Sequence, residues 1–160
     1  YGTDPVPAGK PEPVEPDKSN VDTTKKLHCT ISIDCATILN NLSDLDPAKL
    51  DVLPTDGVVL DAVTVEFSEG ESVFDVLQRV CRENNVHLEA TFTPGYNSAY
   101  VEGIHNLYEF DCGELSGWMY SVNGWFPNYG CSRYALQDGD VIRWRYTCDL
   151  GADVGGSMVA

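Results

Sequence analysis

The sequence contains few basic residues. It has 10 Lys and Arg against 25 Asp and Glu, which gives the 160-residue chain a formal charge of −15. Nucleic acids and anionic membrane surfaces are bound through basic patches, so this balance argues against both as partners. The acidic charge leaves cation binding open. No run of about 18 apolar residues occurs, and the sequence therefore predicts no membrane insertion.

The usual signatures of catalysis are also missing. The sequence has no H-E-x-x-H, no G-x-S-x-G and no glycine-rich phosphate loop, and its three histidines are scattered. A nucleophilic pair of Cys112 with His105 is the catalytic alternative that the residue types leave open. We therefore predict a protein that is not an enzyme and requires no cofactor.

None of the six cysteines forms a C-x-x-C motif, which argues against a zinc site or thioredoxin-type chemistry. Their even number fits disulfides in an exported protein, and free buried thiols are the alternative. Cys29 and Cys35 lie along one predicted strand, roughly 20 Å apart at ~3.3 Å per residue, which is too far to bridge. If the first and last strands are neighbours, Cys35 pairs with Cys148, and we also expect Cys112 to pair with Cys131.

The chain begins with Tyr1 and a proline-rich stretch. Five prolines lie within the first 24 residues among Gly, Glu, Asp and Lys, a composition that cannot bury a core. We interpret residues 1–26 as a flexible tether, residues 27–156 as the folded domain and residues 157–160 as a tail. A tether after a removed export signal favours a secreted or cell-surface protein, and a plain disordered tail is the alternative.

Hydrophobic patterning predicts strands and one clear helix. Leu27–Asp34, Ala62–Ser68 and Val86–Phe92 alternate apolar and polar residues as half-buried strands do. Between the second and third of these, Ser72 is a predicted N-cap with Asp75 three residues later. Apolar residues then recur at helical spacing, and their stripe would cover one face of a sheet.

The stretch 113–149 holds all three tryptophans. Trp118, Tyr120 and Val122 alternate as in a strand, Asn123-Gly124 is a strong turn signal, and 141–148 predicts the last strand. Two strands, a helix and then further strands predict an α+β fold. We expect a β-grasp-like mixed sheet with one covering helix, in which the first and last strands lie side by side in the centre.

Aromatic residues cluster around this turn. Trp125 and Phe126 follow the turn directly, where the chain is expected to run over the surface. Exposed rings in a loop suit a large flat ligand or a protein partner. A cluster that folds back on the domain is the alternative, and for Trp118 and Tyr120 the alternative is core packing.

Three segments resemble a family of bacterial surface domains catalogued as the domain of unknown function DUF4430. These segments are Glu71–Leu77, Ser116–Tyr120 and Leu136–Ile142. The Trp-x-aromatic strand, with Pro127, Gly130 and Tyr134 after it, is also similar to the C-terminal β-domain of the transcobalamin and intrinsic factor family.

This resemblance implies a surface that contacts cobalamin as a ligand. In the family, the Trp strand with its following loop and a segment about twenty residues earlier touch the corrin, which here implies 118–127 and 96–101. Rings would stack on the ligand, and Asn97, Tyr100 and Asn123 would supply polar contacts. The implied ligand-binding residues are Tyr96, Asn97, Tyr100, Trp118, Tyr120, Asn123, Trp125 and Phe126.

The resemblance also implies an incomplete site. The vitamin carriers of the family hold their ligand between this domain and a helical barrel, for which this sequence has no counterpart. We therefore expect half a site, with modest affinity for a corrinoid or with a second protein that completes it.

Functions of another class remain open. The same aromatic residues could bind a cell-surface partner protein or a glycan. Asp44, Asp46 and Asp51 could bind calcium, but their spacing does not match an EF-hand loop, and a solvated acidic loop is favoured.

Overall fold

The computed structural model describes Val6 and residues 9–14, 22–93 and 98–156. Within these residues the chain forms seven β-strands and one α-helix, joined by short 3-10 turns. The elements are β1 (Asp22–Asp34), β2 (Val58–Glu69), α1 (Val73–Glu83), β3 (Leu88–Thr93), β4 (Ser98–Ile104), β5 (Leu107–Tyr108), β6 (Gly117–Val122) and β7 (Val141–Thr147).

The first sheet has the strand order β2-β1-β7-β6. Strands β1 and β7 are parallel, with Ile31 opposite Ile142 and Ile33 opposite Trp144, whereas the other two pairs are antiparallel. The sheet is therefore mixed, and the first and last strands occupy its centre. The predicted α+β class and this central pairing are confirmed.

A second sheet, of order β3-β4-β5, is entirely antiparallel. The single sheet expected from the sequence is thus two sheets in the described part of the chain. Strand β4 turns directly into β5 at His105 and Asn106, whose φ angles are 57° and 60°. Alternation identified the strands, but it does not encode which strand pairs with which.

Helix α1 begins at the predicted capping box. The Ser72 hydroxyl accepts the Asp75 N–H at 3.1 Å, and the Asp75 carboxylate accepts the Ser72 N–H at 2.9 Å. The Val73 N–H donates to the Tyr134 carbonyl at 3.1 Å, so the helix start is tied to the loop that follows β6. The buried side of α1 consists of Val73, Val76, Leu77, Val80 and Cys81.

Tyr146 on β7 joins the two sheets. Its ring is fully buried, together with Ile142 and Trp144 on the same face of the strand. Its hydroxyl lies 2.8 Å from the Tyr108 carbonyl oxygen and 3.0 Å from the Ser116 hydroxyl. The buried phenol is therefore satisfied on both sides, as a polar group in a core must be.

All six thiols are free, so neither expected disulfide is formed. Parallel pairing sets Asp34 opposite Arg145, and Cys148 consequently lies beyond the level of Cys35. The Cys112 thiol instead lies near the Cys148 thiol, and each shifts the pKa of the other. Cys131 is buried elsewhere, with its sulfur 3.9 Å from the Ala99 carbonyl oxygen.

The expected division of the chain at residue 26 stays a prediction. Strand β1 already begins at Asp22, and the expected tail at 157–160 lies outside the described residues. None of the helices in the described ranges is long and apolar enough to cross a membrane.

Candidate functional site

The aromatic loop, residues 123–134, connects β6 to the segment before β7. It starts with the predicted turn, in which Asn123 and Gly124 have φ angles of 53° and 84°. The backbone of Val122 exchanges two hydrogen bonds with that of Trp125, at 2.8 and 3.0 Å. Two successive positive φ angles are what a tight hairpin turn requires, and Asn-Gly adopts them at the lowest cost.

The Asn123 side chain fixes this turn to β7. Its amide nitrogen donates to the Asp140 carboxylate at 2.9 Å, and its oxygen accepts the Val141 N–H at 2.9 Å. The second Asp140 oxygen accepts the Gln137 N–H. Both ends of the Asn123 amide are therefore engaged within the chain, and a ligand would have to replace one of these bonds.

Trp118 lies in the core. Only 9% of its surface is exposed, and its indole N–H donates to the Leu107 carbonyl at 2.8 Å. Its ring meets Tyr146 edge to face at 5.3 Å. The structure thus places this residue between the two sheets, which is the packing alternative considered for it.

Tyr120 anchors the aromatic loop to the first sheet. Its hydroxyl donates to the Tyr129 carbonyl at 2.7 Å, and its ring packs at 5.3 Å from Trp144. Burial raises the pKa of this phenol well above its ordinary value. The side chain therefore stays neutral, and its hydroxyl remains available to donate to the backbone of the loop.

Trp125 is half-buried at the mouth of a cavity of about 280 Å³, which we call the Trp125 pocket. The edge of its ring is held against Tyr129 at 6.2 Å, and Tyr129 stacks on Tyr134 at 6.2 Å. The amine of Lys10 lies 5.6 Å from the centroid of the Trp125 ring, within reach of a cation–π interaction.

Phe126 is also half-buried. A β-carbon added at Gly156 would lie 2.9 Å from the Phe126 ring, so the backbone near the end of the described chain rests on this ring. The expectation that Trp125 and Phe126 are exposed is therefore wrong. Each ring is partly covered by a terminal segment, but Trp125 still adjoins an open pocket.

The other predicted contact segment meets the aromatic loop at the start of β4. The Ala99 N–H donates to the Ser132 hydroxyl at 2.9 Å. A β-carbon at Gly130 would lie 1.8 Å from the Ser98 hydroxyl oxygen, so a side chain here would force that hydroxyl to move. The start of β4 therefore lies against residues 130–132, just beyond the segment 118–127 that the resemblance implies.

The three candidate ligand-binding residues of segment 96–101 have separate outcomes. Tyr96 and Asn97 are outside the described residues. Tyr100 is 50% exposed, and its hydroxyl donates to the Glu109 carboxylate at 3.0 Å on the second sheet. Partial burial and this hydrogen bond raise the pKa of Tyr100 to about 12. Its hydroxyl is accordingly a neutral polar group near neutral pH.

Sequence reasoning missed the contribution of the N-terminal residues. Residues 9–14, which we call the strap, lie against the aromatic loop. The Tyr129 hydroxyl donates to the Pro11 carbonyl at 2.7 Å, and the Val14 N–H donates to the Arg133 carbonyl at 2.8 Å. A valine next to a proline in an otherwise polar segment was the available signal for this contact.

The geometry of the described residues supports neither the calcium site nor the nucleophilic cysteine that the sequence leaves open. Among the described residues, no group of three or more His, Cys, Asp or Glu could hold a metal ion. Asp46, a candidate calcium ligand, instead caps a 3-10 turn by accepting the Ala48 N–H at 3.0 Å. Burial and the neighbouring Cys148 thiol raise the pKa of Cys112 to about 12, so this thiol is not a ready nucleophile.

Comparisons with known proteins agree with this architecture. Residues 70–148 match the family model described as "Domain of unknown function (DUF4430)". Among solved structures, the chain is similar to haptocorrin in complex with Cbi, with a TM-score of 0.54 and 14% identity over 84% of this chain. It spans only 28% of the haptocorrin chain.

A protein from Ruminococcus gnavus ATCC 29149, provisionally described as metal binding, is similar with a TM-score of 0.44 and 16% identity. That match covers 76% of this chain and 96% of the other. No curated protein matches the sequence. At 14% identity, the likeness to haptocorrin concerns the fold. The match of residues 70–148 to the DUF4430 model confirms the predicted family resemblance.

Proposed function

We propose that this chain, whose residues 70–148 belong to the DUF4430 family, is a non-catalytic binding domain that contacts a corrinoid through its aromatic loop. The proposal includes its location, as a secreted or cell-surface protein. The observation that carries it is the half-buried Trp125 ring at the mouth of a pocket.

Trp125 is suited to stack on a large flat ligand. Its ring is held from one edge by Tyr129, so its orientation is set before a ligand arrives. Aromatic pairs add about 0.5–1.5 kcal/mol beyond the area they bury. Trp118 and Tyr120 then act indirectly, since they hold the strand and the loop that present Trp125.

The size of the pocket supports half a site. At about 280 Å³ it is slightly smaller than the roughly 300–1,000 Å³ of sites that enclose a drug-sized ligand. A corrinoid would therefore place one edge against Trp125 and leave the rest outside. A partner protein that covers the outer face would complete the site.

The fold shared with haptocorrin supports the choice of ligand. That protein is known in complex with Cbi, and its fold is similar to that of this chain over 84% of this chain. Because the chain spans 28% of haptocorrin, corrinoid binding is proposed here from the shared fold together with Trp125.

Calorimetric titration of cyanocobalamin into the full chain tests the proposal. We expect saturable binding that Trp125→Ala weakens about tenfold, which corresponds to about 1.4 kcal/mol. Phe110→Ala is the matched control, because Phe110 is 63% exposed and lines neither of the two described pockets. No heat with the unchanged chain, or equal affinity in Trp125→Ala, would contradict corrinoid binding.

A cell-surface protein-interaction module is the second candidate. Phe92, Tyr100 and Phe110 are 52%, 50% and 63% exposed, on or beside the second sheet. Exposed rings of this number mark interaction surfaces more often than they serve stability. Replacement of Phe110 by Ser should then abolish capture of a cell-wall protein that Trp125→Ala still captures.

A further inference from the structure

The strap lies across the aromatic loop, and its two prolines favour an extended backbone at and before each of them. Lys10 and Glu12 are exposed, whereas Pro11, Pro13 and Val14 are half-buried. No helix or strand includes these residues. The strap therefore resembles a bound peptide more than an element of the core.

Two hydrogen bonds fix the register of the strap. The Tyr129 hydroxyl reaches the Pro11 carbonyl, and the Arg133 carbonyl receives the Val14 N–H, at 2.7 and 2.8 Å. In the first bond the loop donates through a side chain, and in the second it accepts through its backbone. Together they require an acceptor at one position of the peptide and a non-proline residue three positions later.

Residues of the strap form part of the walls of two cavities. Lys10 and Pro11 line the Trp125 pocket, with the Lys10 amine over the indole ring. Val14 lines a second cavity of about 230 Å³, whose wall includes Phe74 from α1 and Phe92 from β3. The two cavities give the groove a preference for particular side chains as well as for an extended backbone.

Proline favours this mode of binding. Its ring holds φ near −65°, so an extended peptide that contains proline loses less conformational entropy on binding. Grooves lined by aromatic residues bind such peptides in several unrelated domains. Here Trp125, Tyr129 and Tyr134 form a continuous aromatic row along the groove.

We propose that the face formed by the aromatic loop and the start of α1 is a binding groove for extended peptides of the pattern Lys-Pro-x-Pro-Val. Residues 10–14 of the same chain are its resident ligand. Because Lys10 covers the Trp125 ring, a flat ligand that stacks there must displace the strap, and this consequence rests on the proposed function.

A full-length variant with an altered strap allows the groove to be titrated. The variant Lys10→Ser/Pro11→Ser/Val14→Ser removes the side chains of the strap that lie against the loop and keeps the rest of the chain. A fluorescein-labelled peptide that copies residues 9–16 is added, and binding is followed by anisotropy. We expect saturable binding to this variant and at least tenfold weaker binding to the unchanged chain, because a tethered strap competes at a millimolar effective concentration.

Two substitutions in the altered-strap background test the assigned contacts. Tyr129→Phe removes the donor to Pro11 and should weaken peptide binding at least fivefold. Tyr108→Phe removes a hydroxyl that donates to Glu89 on the second sheet and should leave binding unchanged. A peptide with Ser in place of the Pro11 and Val14 equivalents should not bind. Equal binding to the unchanged and altered chains, or no effect of Tyr129→Phe, would overturn the groove.

Hydrogen exchange of the otherwise unchanged chain gives a second test that needs no altered strap. The Val14 amide should be protected, and Tyr129→Phe should speed its exchange several-fold while β1 amides keep their rates. Unprotected Val14 in the unchanged chain would overturn the assignment. Neither experiment contains a corrinoid, so each outcome is independent of the cobalamin titration.

Discussion

At the scale of single residues, two tryptophans in one hairpin have different tasks. Trp118 is buried between the sheets with its N–H bonded to Leu107, whereas Trp125 is half-buried beside a pocket. Alternation along the strand places Trp118 on one face, but it does not say whether that face is covered. The two roles predict different losses in the free energy of unfolding when each tryptophan is replaced.

We expect Trp118→Ala to lower the free energy of unfolding by about 3–5 kcal/mol, because it removes a large buried ring and leaves a cavity. Trp125→Ala should cost about 1 kcal/mol, since the ring is only partly buried. Urea denaturation followed by circular dichroism compares the two. Similar losses in both variants would contradict the division of tasks.

Glu71 is the clearest source of pH dependence. Burial alone would raise its pKa, but hydrogen bonds and charge from Arg79, together with the Ser68 N–H, outweigh burial and hold the pKa below its ordinary value. One carboxylate oxygen lies 2.7 Å from the Arg79 guanidinium, and the other accepts the Ser68 N–H at 2.7 Å.

A lowered carboxyl pKa stabilises the folded state above the unfolded pKa of about 4.3 and ceases to do so as pH falls through the folded pKa. Glu71→Gln should therefore lower stability by about 1–2 kcal/mol at pH 7, and this difference should shrink below about pH 4. Glu69→Gln is the control, since Glu69 and Lys25 form an exposed pair. A pH-independent difference would contradict this role for Glu71.

At the scale of elements, the start of α1 connects a local signal to the site. The capping box at Ser72 and Asp75 follows from the sequence alone, because both partners lie within one helical turn. The helix start also contacts the end of the aromatic loop, since the Val73 N–H donates to the Tyr134 carbonyl and Ser72 forms a bridge with the next residue, Ala135. The cap thus helps to position the start of α1, which forms one part of the peptide groove.

Ser72→Ala should lower the free energy of unfolding by about 1 kcal/mol, because the Asp75 N–H loses its acceptor. Ser43→Ala is the matched control, since Ser43 is exposed in a 3-10 turn, and it should change stability by less than about 0.5 kcal/mol. Thermal unfolding at pH 7 measures both. An unchanged melting temperature in Ser72→Ala would mean that the cap does not stabilise the helix.

At the scale of the whole molecule, the cysteines show how distant segments meet. Cys112 precedes β6 and Cys148 follows β7, and their thiols lie close enough to shift each other's pKa. The Cys148 sulfur lies 3.6 Å from the Thr37 hydroxyl, and the Cys112 sulfur lies 3.4 Å from the Asn41 carbonyl oxygen. The pair therefore sits against the turn that follows β1.

Oxidation with diamide, which accepts the two electrons and two protons released, should join Cys112 to Cys148. The rate should rise with pH, because burial raises the pKa of both thiols and the thiolate is the reacting form. Peptide mapping by mass spectrometry identifies the bridge. Cys112→Ser should abolish it and Cys131→Ser should not, and a bridge from Cys148 to Cys35 would contradict the observed contact.

Local physics determined much of this protein from the sequence. Period-2 alternation located the strands, the spacing of Ser72 and Asp75 located the helix start, and Asn123-Gly124 located the hairpin turn, because each depends on residues close in the chain. The order of these elements then led to the α+β class and to the central pairing of β1 with β7.

Only the tertiary structure decided what covers each face. The second sheet, the burial of Trp118, the strap over Trp125 and the meeting of Cys112 with Cys148 all join residues far apart in the chain. Periodicity shows that one side of an element is apolar, but the free energy that buries it depends on which distant surface fits there. A half-covered Trp125 is therefore a property of the packed molecule, which no local pattern of residues encodes.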